Sequence, residues 1–217
     1  MSLKLLIFLG SVRKSSPPAP PRLGERAARA CHAMLGGEDA TLVDPLELPN
    51  EAVFTPHFSY RRGEAPPELD GLAEAISAAD GYVMVSPEYN HAMSPALAGL
   101  LNHFGSSRFA FKPSAIVTYS AGQWGGTRAA VNMRTFLGEL GCLPVSAMIH
   151  IPKAQEVLDA GGAFLPEVDA EAWRSYFGRT FKQLTWWAKA AASMRTEQDP
   201  ARLSPAFKRQ PAQRNAP

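Results

Sequence analysis

The sequence predicts an α/β domain built on a five-stranded parallel sheet with helices on both faces. Three observations carry this. Short apolar runs rich in β-forming residues recur at 3–9, 82–85 and 114–119, each ending at a polar or glycine-containing segment. Stretches with apolar residues at helical spacing separate these runs, and no hairpin signal joins neighbouring strands. A chain of 217 residues, 46% of them hydrophobic, is also long enough for one substantial core.

Taken in order, residues 3–9 form strand one, and a polar loop from Gly10 to Ser16 follows. The prolines of 17–21 lead into a helix over 22–35, since proline is favoured where a helix begins. Leu23, Ala27, Ala30 and Met34 share one face of that helix, and Gly36-Gly37 ends it. Residues 40–43 are a short second strand at or near an edge. The connection 49–67 is long enough to suggest a functional or mobile loop. Helix two spans 67–79 and buries Leu69, Leu72, Ala73 and Ile76.

Strand three, Tyr82-Val83-Met84-Val85, stops at Ser86-Pro87 and leaves Glu88, Tyr89, Asn90 and His91 in a loop before a helix over 95–104. Strand four covers 114–119, the glycine-rich loop runs from Ser120 to Gly126, a helix spans 127–140, and strand five spans 144–151. A helix over 170–194 closes a single domain of residues 1–195. Its face of Trp173, Tyr176, Phe177, Phe181, Leu184, Trp187, Ala188 and Ala191 belongs on the sheet, with Trp186 pointing away. Residues 196–217 are rich in proline and basic residues without an apolar period, which predicts a disordered tail.

The net charge of +2 gives no ground for nucleic-acid or membrane binding. Cys31 and Cys142 lie far apart and outside metal-like spacing, so both read as small core residues. With neither a signal peptide nor an apolar run of membrane-spanning length, the expected location is the cytoplasm.

In such sheets ligands bind at the carboxyl ends of strands near the point where strand order reverses. The loops after strands one, three and four are therefore the candidate site. In the first, Ser11, Ser15 and Ser16 offer hydroxyls, Arg13 a guanidinium, and the next helix its N-terminal amides, a set suited to phosphate. It is neither the Gly-Lys-Ser/Thr phosphate loop nor a Gly-x-Gly-x-x-Gly dinucleotide turn. In the second, Tyr89 offers an aromatic face or hydroxyl and Asn90 both donor and acceptor, which suits a flat ring with polar edges. In the third, Gly122, Gly125 and Gly126 either admit a ring close to the backbone or simply turn the chain, and Trp124 either walls a pocket or packs. No Ser-His-Asp, Cys-His or metal-ligand cluster stands out, and His91 reads as a solvent-facing loop residue.

Gly10-Ser11-Val12-Arg13, Ser86-Pro87-Glu88-Tyr89-Asn90-His91 and Ser120-Ala121-Gly122-Gln123-Trp124-Gly125-Gly126 together resemble the NADPH-dependent FMN reductase family. This flavodoxin-like group includes quinone, azo and chromate reductases, and the resemblance covers roughly the first 150 residues. It implies the strand order 2-1-3-4-5. It also implies that Ser11, Arg13 and Ser16 hold the FMN phosphate, that Pro87, Glu88, Tyr89 and Asn90 line the isoalloxazine, and that Ser120, Gly122, Gly125 and Gly126 meet its pyrimidine side. The chain departs from the family pattern in its proline-rich 17–21 stretch, in Ala92 and Ser94, and in Ala98-Gly99 where a Lys-Asn pair is common.

The expectation is an FMN-dependent oxidoreductase in which NADPH or NADH reduces the flavin and a small-molecule acceptor such as a quinone then replaces the nucleotide. A homodimer or homotetramer with flavin near the subunit boundary is implied as well. The alternatives are an FMN-binding electron carrier, disfavoured by the mildly basic charge, and a flavin-stabilised scaffold.

Overall fold

Five of the six residues of the first strand are buried against one face or the other of a sheet. In the computed structural model, which describes residues 2–15, 18, 20–49 and 53–203, β1 (Lys4–Leu9) sends Leu5, Ile7 and Leu9 to one side and Leu6 and Phe8 to the other. Strands β3 (Gly81–Tyr89) and β5 (Pro113–Tyr119) behave the same way. Val83, Val85, Ala115 and Val117 face one core, and Tyr82, Met84 and Ile116 the other. Burial on both faces is why these runs are apolar throughout instead of alternating.

The first core lies under α1 (Leu23–Met34) and α7 (Ala170–Glu197), through Ala27, Cys31, Phe177, Phe181, Leu184 and Ala188. The second lies under α2 (Pro67–Ala78), α3 (Pro95–Asn102), the single turn α4 (Ser106–Phe109) and α5 (Thr127–Glu139). Cys31 and Cys142 are both buried free thiols, as expected, and burial pushes the Cys142 thiol up to about 12.

The parallel path runs β2-β1-β3-β5-β6, with β2 (Asp39–Val43) as the edge strand beside β1 and β6 (Leu143–Pro144) beside the start of β5. β7 (Ile149–Ile151) pairs with the end of β5. This is the expected order 2-1-3-4-5, with the fifth strand broken in two. The break follows Pro144, which has no N–H to donate. Across the gap Arg134 donates to the carbonyl of Val145, and the amide of Ala147 donates to the side chain of Gln183. Side chains of α5 and α7 thus satisfy backbone groups that a continuous ladder would have used.

Two expectations are corrected. Strand three does not stop at Ser86-Pro87: β3 continues to Tyr89 and folds back on β4 (Ala92–Met93) as an antiparallel hairpin. Asn90 and His91 form its tip, with φ of 51° and 63°. Two successive positive φ values suit a hairpin turn, and Asn and His are among the non-glycine residues that tolerate them. Trp187, expected on the buried face of the last helix, is 42% exposed.

The short turns α6 (Ala154–Val157) and α8 (Pro200–Leu203) complete the elements. α7 continues to Glu197 and α8 follows, within the stretch 196–217 expected as a tail, of which residues 204–217 lie outside the described residues. Among the described residues, no helix is long and apolar enough to cross a membrane.

Candidate functional site

The carboxyl ends of β1, β3 and β5 open onto one cavity of about 500 Å³. Ser11, Arg13 and Lys14 line it from the first loop, Pro87, Glu88 and Tyr89 from the end of β3, and Tyr119, Ser120 and Ala121 from the end of β5. Pro20, Pro21, Arg22, Leu23 and Arg26 add the start of α1. The three loops singled out by the sequence therefore meet, and the volume falls in the usual range for small-molecule sites.

A chain of buried serines fixes how the loops meet. The amide of Gly10 donates to the carbonyl of Val85 at 2.7 Å, and the Ser94 hydroxyl donates to the carbonyl of Gly10 at 2.7 Å. Ser94 also accepts from the amide of Leu97 at 3.1 Å, which caps α3. Its own amide donates to the hydroxyl of Ser86, which in turn donates to the carbonyl of Pro87. The loop after β1 is thus clamped to β3 and to the start of α3.

Four cations surround the cavity: Arg13, Lys14, Arg22 and Arg26. Arg22 is buried, donates to the carbonyl of Ser11 at 2.7 Å, and forms an ion pair with Asp44 just past β2. Its Nε is buried without a hydrogen-bond partner. Arg26 is held by the carbonyls of Pro21 and Leu158. Glu25 stands behind these cations, its carboxyl kept below the ordinary range by the hydroxyl of Ser15 first and by Arg29 and Arg22 in addition. Glu88, the one carboxylate among the described lining residues, is paired with Arg128 at 2.8 Å and accepts from its amide at 3.2 Å, at the start of α5. Glu88 therefore leaves the cavity's positive character intact.

Further along, Tyr119 is buried with its hydroxyl toward Ser11. Burial pushes this phenol well above its ordinary value, with the hydrogen bond to Ser11 acting against that, so it stays neutral. Ser120 folds back into its own loop, donating to the carbonyl of Gly122 at 2.7 Å and accepting from the amide of Gly125 at 2.9 Å.

Of the residues expected in the site, Ser11, Arg13, Pro87, Glu88, Tyr89 and Ser120 line the cavity. Ser16 lies outside the described residues. Asn90 stands at the hairpin tip and does not line the cavity. Gly122, Gly125 and Gly126 lie behind Ser120 and shape the turn; Gly126 has φ of 78°, and a Cβ there would lie 2.8 Å from that of Thr118. Trp124 is 61% exposed outside the cavity, with the Arg128 guanidinium 5.8 Å from its ring centre. Ser15 is committed to Glu25 and to the amide of Arg22.

The residues missed by sequence reasoning are Arg22, Asp44, Tyr119 and the Ser86–Ser94 pair. Arg22 left one signal: a cation at the positive end of a helix is unfavourable and asks for a reason. The others become visible only when the strands are in register.

The cavity fits an elongated anion with a ring. Its basic end lies beside the N-terminus of α1, which has no side-chain cap and opens on the lining residues Arg22 and Leu23. Arg22 Nε, buried and without a hydrogen bond, has only the Glu25 carboxylate 3.6 Å away. Pro87 and Tyr89, from the end of β3, add apolar and aromatic surface to the lining. A second cavity of about 430 Å³ lies at the opposite end of β5 and lacks such a convergence, because its Lys112 ammonium is spent on the carbonyls of Ile76, Ser77 and Arg108.

Comparison with known proteins agrees with this geometry. Residues 3–156 match the model of the family described as NADPH-dependent FMN reductase. An NAD(P)H-dependent FMN reductase of Pseudomonas aeruginosa is 31% identical over 129 residues, 58% of this chain and 66% of its own length. The chain thus spans just under two thirds of that relative. A quinone reductase of Escherichia coli strain K12 is 32% identical over 176 residues, 73% of this chain and 87% of its own. Among solved structures, the flavoenzyme NAD(P)H:(acceptor) oxidoreductase FerB of Paracoccus denitrificans superposes with a TM-score of 0.66 at 20% identity, covering 86% of this chain and 98% of that one. At that identity the likeness shows a common fold.

Proposed function

Because this chain belongs to the NADPH-dependent FMN reductase family, we propose that it is an FMN-dependent NAD(P)H oxidoreductase that reduces a quinone, a free flavin or a similar acceptor. The observation that supports this reading most is one cavity that joins four cations and an uncapped helix N-terminus to the apolar and aromatic surface of Pro87, Tyr89 and Tyr119. FMN, when bound, supplies the hydride-accepting and hydride-donating chemistry. The protein's part is binding and orientation. Arg13, with the amides opening α1, would hold the phosphate, and Lys14 stands where the loop borders the cavity. The carbonyl of Ser11 is held by Arg22, so its loop does not have to reorganise on binding. Pro87 and Tyr89 offer apolar surface to the ring, and neutral Tyr119 offers a donor without adding charge. No protein acid or nucleophile is needed, and nucleotide and acceptor use the same exposed face in turn.

Anaerobic titration of the yellow FMN-loaded protein with NADPH tests the reaction. Bleaching, followed by recovery on adding a quinone and by parallel double-reciprocal lines at steady state, is the expected result. A flavin that stays oxidised under excess NADPH and NADH would leave the carrier or scaffold reading instead.

Arg13 supplies a separate check on the phosphate assignment. Arg13→Ala is expected to weaken FMN binding by about 1.5–3 kcal/mol, the usual worth of a charge-assisted bond. Riboflavin, which has no phosphate, should bind wild type and variant alike. Equal affinity of the wild type for riboflavin and FMN would sink the assignment.

Assembly is the remaining part of the reading. Trp186 is 62% exposed and packs edge-on against Trp187 with ring centres 4.6 Å apart. Met194, Leu143 and Phe111 are also exposed, so the outer surface of α7 and the adjoining sheet edge carry more large apolar side chains than a monomer needs. The protein is a homodimer or larger, with Trp186 at least partly covered by a neighbour. Light scattering after size exclusion should give a mass above the 23.4 kDa of one chain, and Trp186→Asp should lower it. A wild-type monomer at micromolar concentration would defeat the assembly; an unchanged oligomer in the variant would remove Trp186 from its interface.

A further inference from the structure

On the other side of the loop that carries Arg13 lies a second cleft, of about 480 Å³, which the proposed reaction does not use. Val12 and Lys14 line it, and Lys14 also lines the cofactor cavity, so this loop is the wall between the two. The floor of the cleft is α3. Ala96, Gly99, Leu100 and His103 all line it, and their spacing of three, four and seven residues places them on one face of the helix. Its rim includes Phe54, half exposed and packed on His103 with ring centres 4.7 Å apart, and Tyr60.

Gly99 is the informative residue. It sits inside an eight-residue helix, where glycine weakens the helix and gives nothing back in packing. A Cβ built there meets no atom within 4 Å, because the space above it is the cleft. Glycine is therefore not required by a close approach or by backbone conformation. What it does is keep the floor flat: with Ala96 beside it, the middle of the helix presents almost no side chain. A flat floor, an aromatic wall and apolar sides suit a planar fused ring. The charge is equally one-sided. Among the described lining residues there is no carboxylate, and Lys14 stands where the two cavities adjoin.

We propose that this cleft is a second small-molecule site, distinct from the cofactor cavity, that takes a planar two-ring aromatic acid, with its ring on the Gly99 floor against Phe54 and its carboxylate or sulfonate toward Lys14. The site does not depend on the redox reaction assigned to its neighbour.

Binding of naphthoate to the FMN-loaded protein, measured by calorimetry, tests this directly. Naphthoate should bind one site per chain without displacing FMN, and the matching naphthylmethylammonium cation should bind at least about tenfold more weakly. Gly99→Phe, which fills the cleft, should weaken naphthoate at least about tenfold, while the affinity for FMN and the rate of flavin reduction by NADPH stay at wild-type values. Gly99→Ala keeps the space and should retain binding, which separates cleft filling from any change in helix stability. Naphthoate that fails to bind at millimolar concentration, that competes with FMN, or that binds Gly99→Phe as well as wild type would overturn the proposal. So would equal binding of acid and cation. A Gly99→Phe protein that changes oligomeric mass instead of naphthoate affinity would overturn it too, and would assign the cleft to a contact between copies.

Discussion

Asp44→Ala is expected to cost about 3–5 kcal/mol of stability, the range for breaking a buried ion pair by deleting one partner. The reason is what the change leaves behind. Arg22 has only 4% of its side chain exposed and Asp44 15%, so the guanidinium keeps its charge with neither water nor a full counter-ion around it. Glu25, 3.6 Å from Arg22 Nε, is already shared with Arg29 and Ser15. The same change removes the acceptor for the amide of Leu46, which caps the turn after β2. Arg22→Met should be milder, because it removes the buried charge instead of stranding it, although it releases the carbonyl of Ser11. FMN should raise the melting temperature of Asp44→Ala more than that of wild type, since a phosphate gives Arg22 a substitute anion. Chemical denaturation with and without FMN measures both effects. A loss below about 1 kcal/mol would place the pair among surface ion pairs, which contribute little.

What the sequence made legible follows from which interactions are local. Each long helix was readable because its apolar face repeats within its own residues, so α1, α2 and α5 fall within a residue or two of their expected limits. The buried strands were readable for the same reason. Features that depend on a partner elsewhere in the chain were not. Pro87 reads as a stop, yet it pairs with Tyr119 because a parallel neighbour is present and because β4 takes over at Glu88 and Tyr89. The hairpin tip has no glycine to announce it. Trp187 fits the periodicity of the buried face, and its neighbours Leu184 and Ala188 are buried, but it lines an open cavity beside Leu143 and Met194 and is partly exposed.

The site divides along the same line. Ser11, Arg13, Pro87 and Tyr89 could be chosen from their own loops, because strand ends in such a sheet must converge. Glu88 could be placed in the site from its position after β3, but its role could not be read there. Its pairing with Arg128, forty residues later, exists only in the fold. Asn90 matched the motif by type, while the turn it belongs to carries it past the cavity. Arg22 and Asp44 are separated by a whole helix and strand, and nothing in either neighbourhood names the other. The fold thus adds to the motif residues a set of groups that hold the first loop rigid. Rigidity there matters because a loop that is ordered before the cofactor arrives does not lose binding energy to its own ordering.

Gly10→Ala should be nearly as damaging as the loss of Asp44, by a different route. A Cβ at Gly10 would lie 2.6 Å from the carbonyl oxygen of Val85 and 3.0 Å from both the Cβ of Leu97 and the hydroxyl of Ser94. None of the three yields easily. Val85 belongs to the central strand β3, paired on both sides, and Leu97 is fully buried in α3. Ser94 is fixed by the carbonyl of Gly10 and the amide of Leu97 at once. The loop must therefore move outward, losing the bond from the Gly10 amide to Val85 and the one from Ser94. Overpacking of this kind costs about 1–3 kcal/mol and each of the two lost hydrogen bonds about 1 kcal/mol, so a fall of about 3–5 kcal/mol is expected. Ser11 and Arg13 follow directly, so FMN affinity should fall by at least about tenfold in the same variant, equivalent to about 1.4 kcal/mol. Gly122→Ala is the matched control: a Cβ there meets nothing within 4 Å, and its stability should stay within about 0.5 kcal/mol of wild type. If Gly10→Ala proves no more harmful than Gly122→Ala in both melting temperature and FMN affinity, the clamp between the first loop and β3 does not hold the site together.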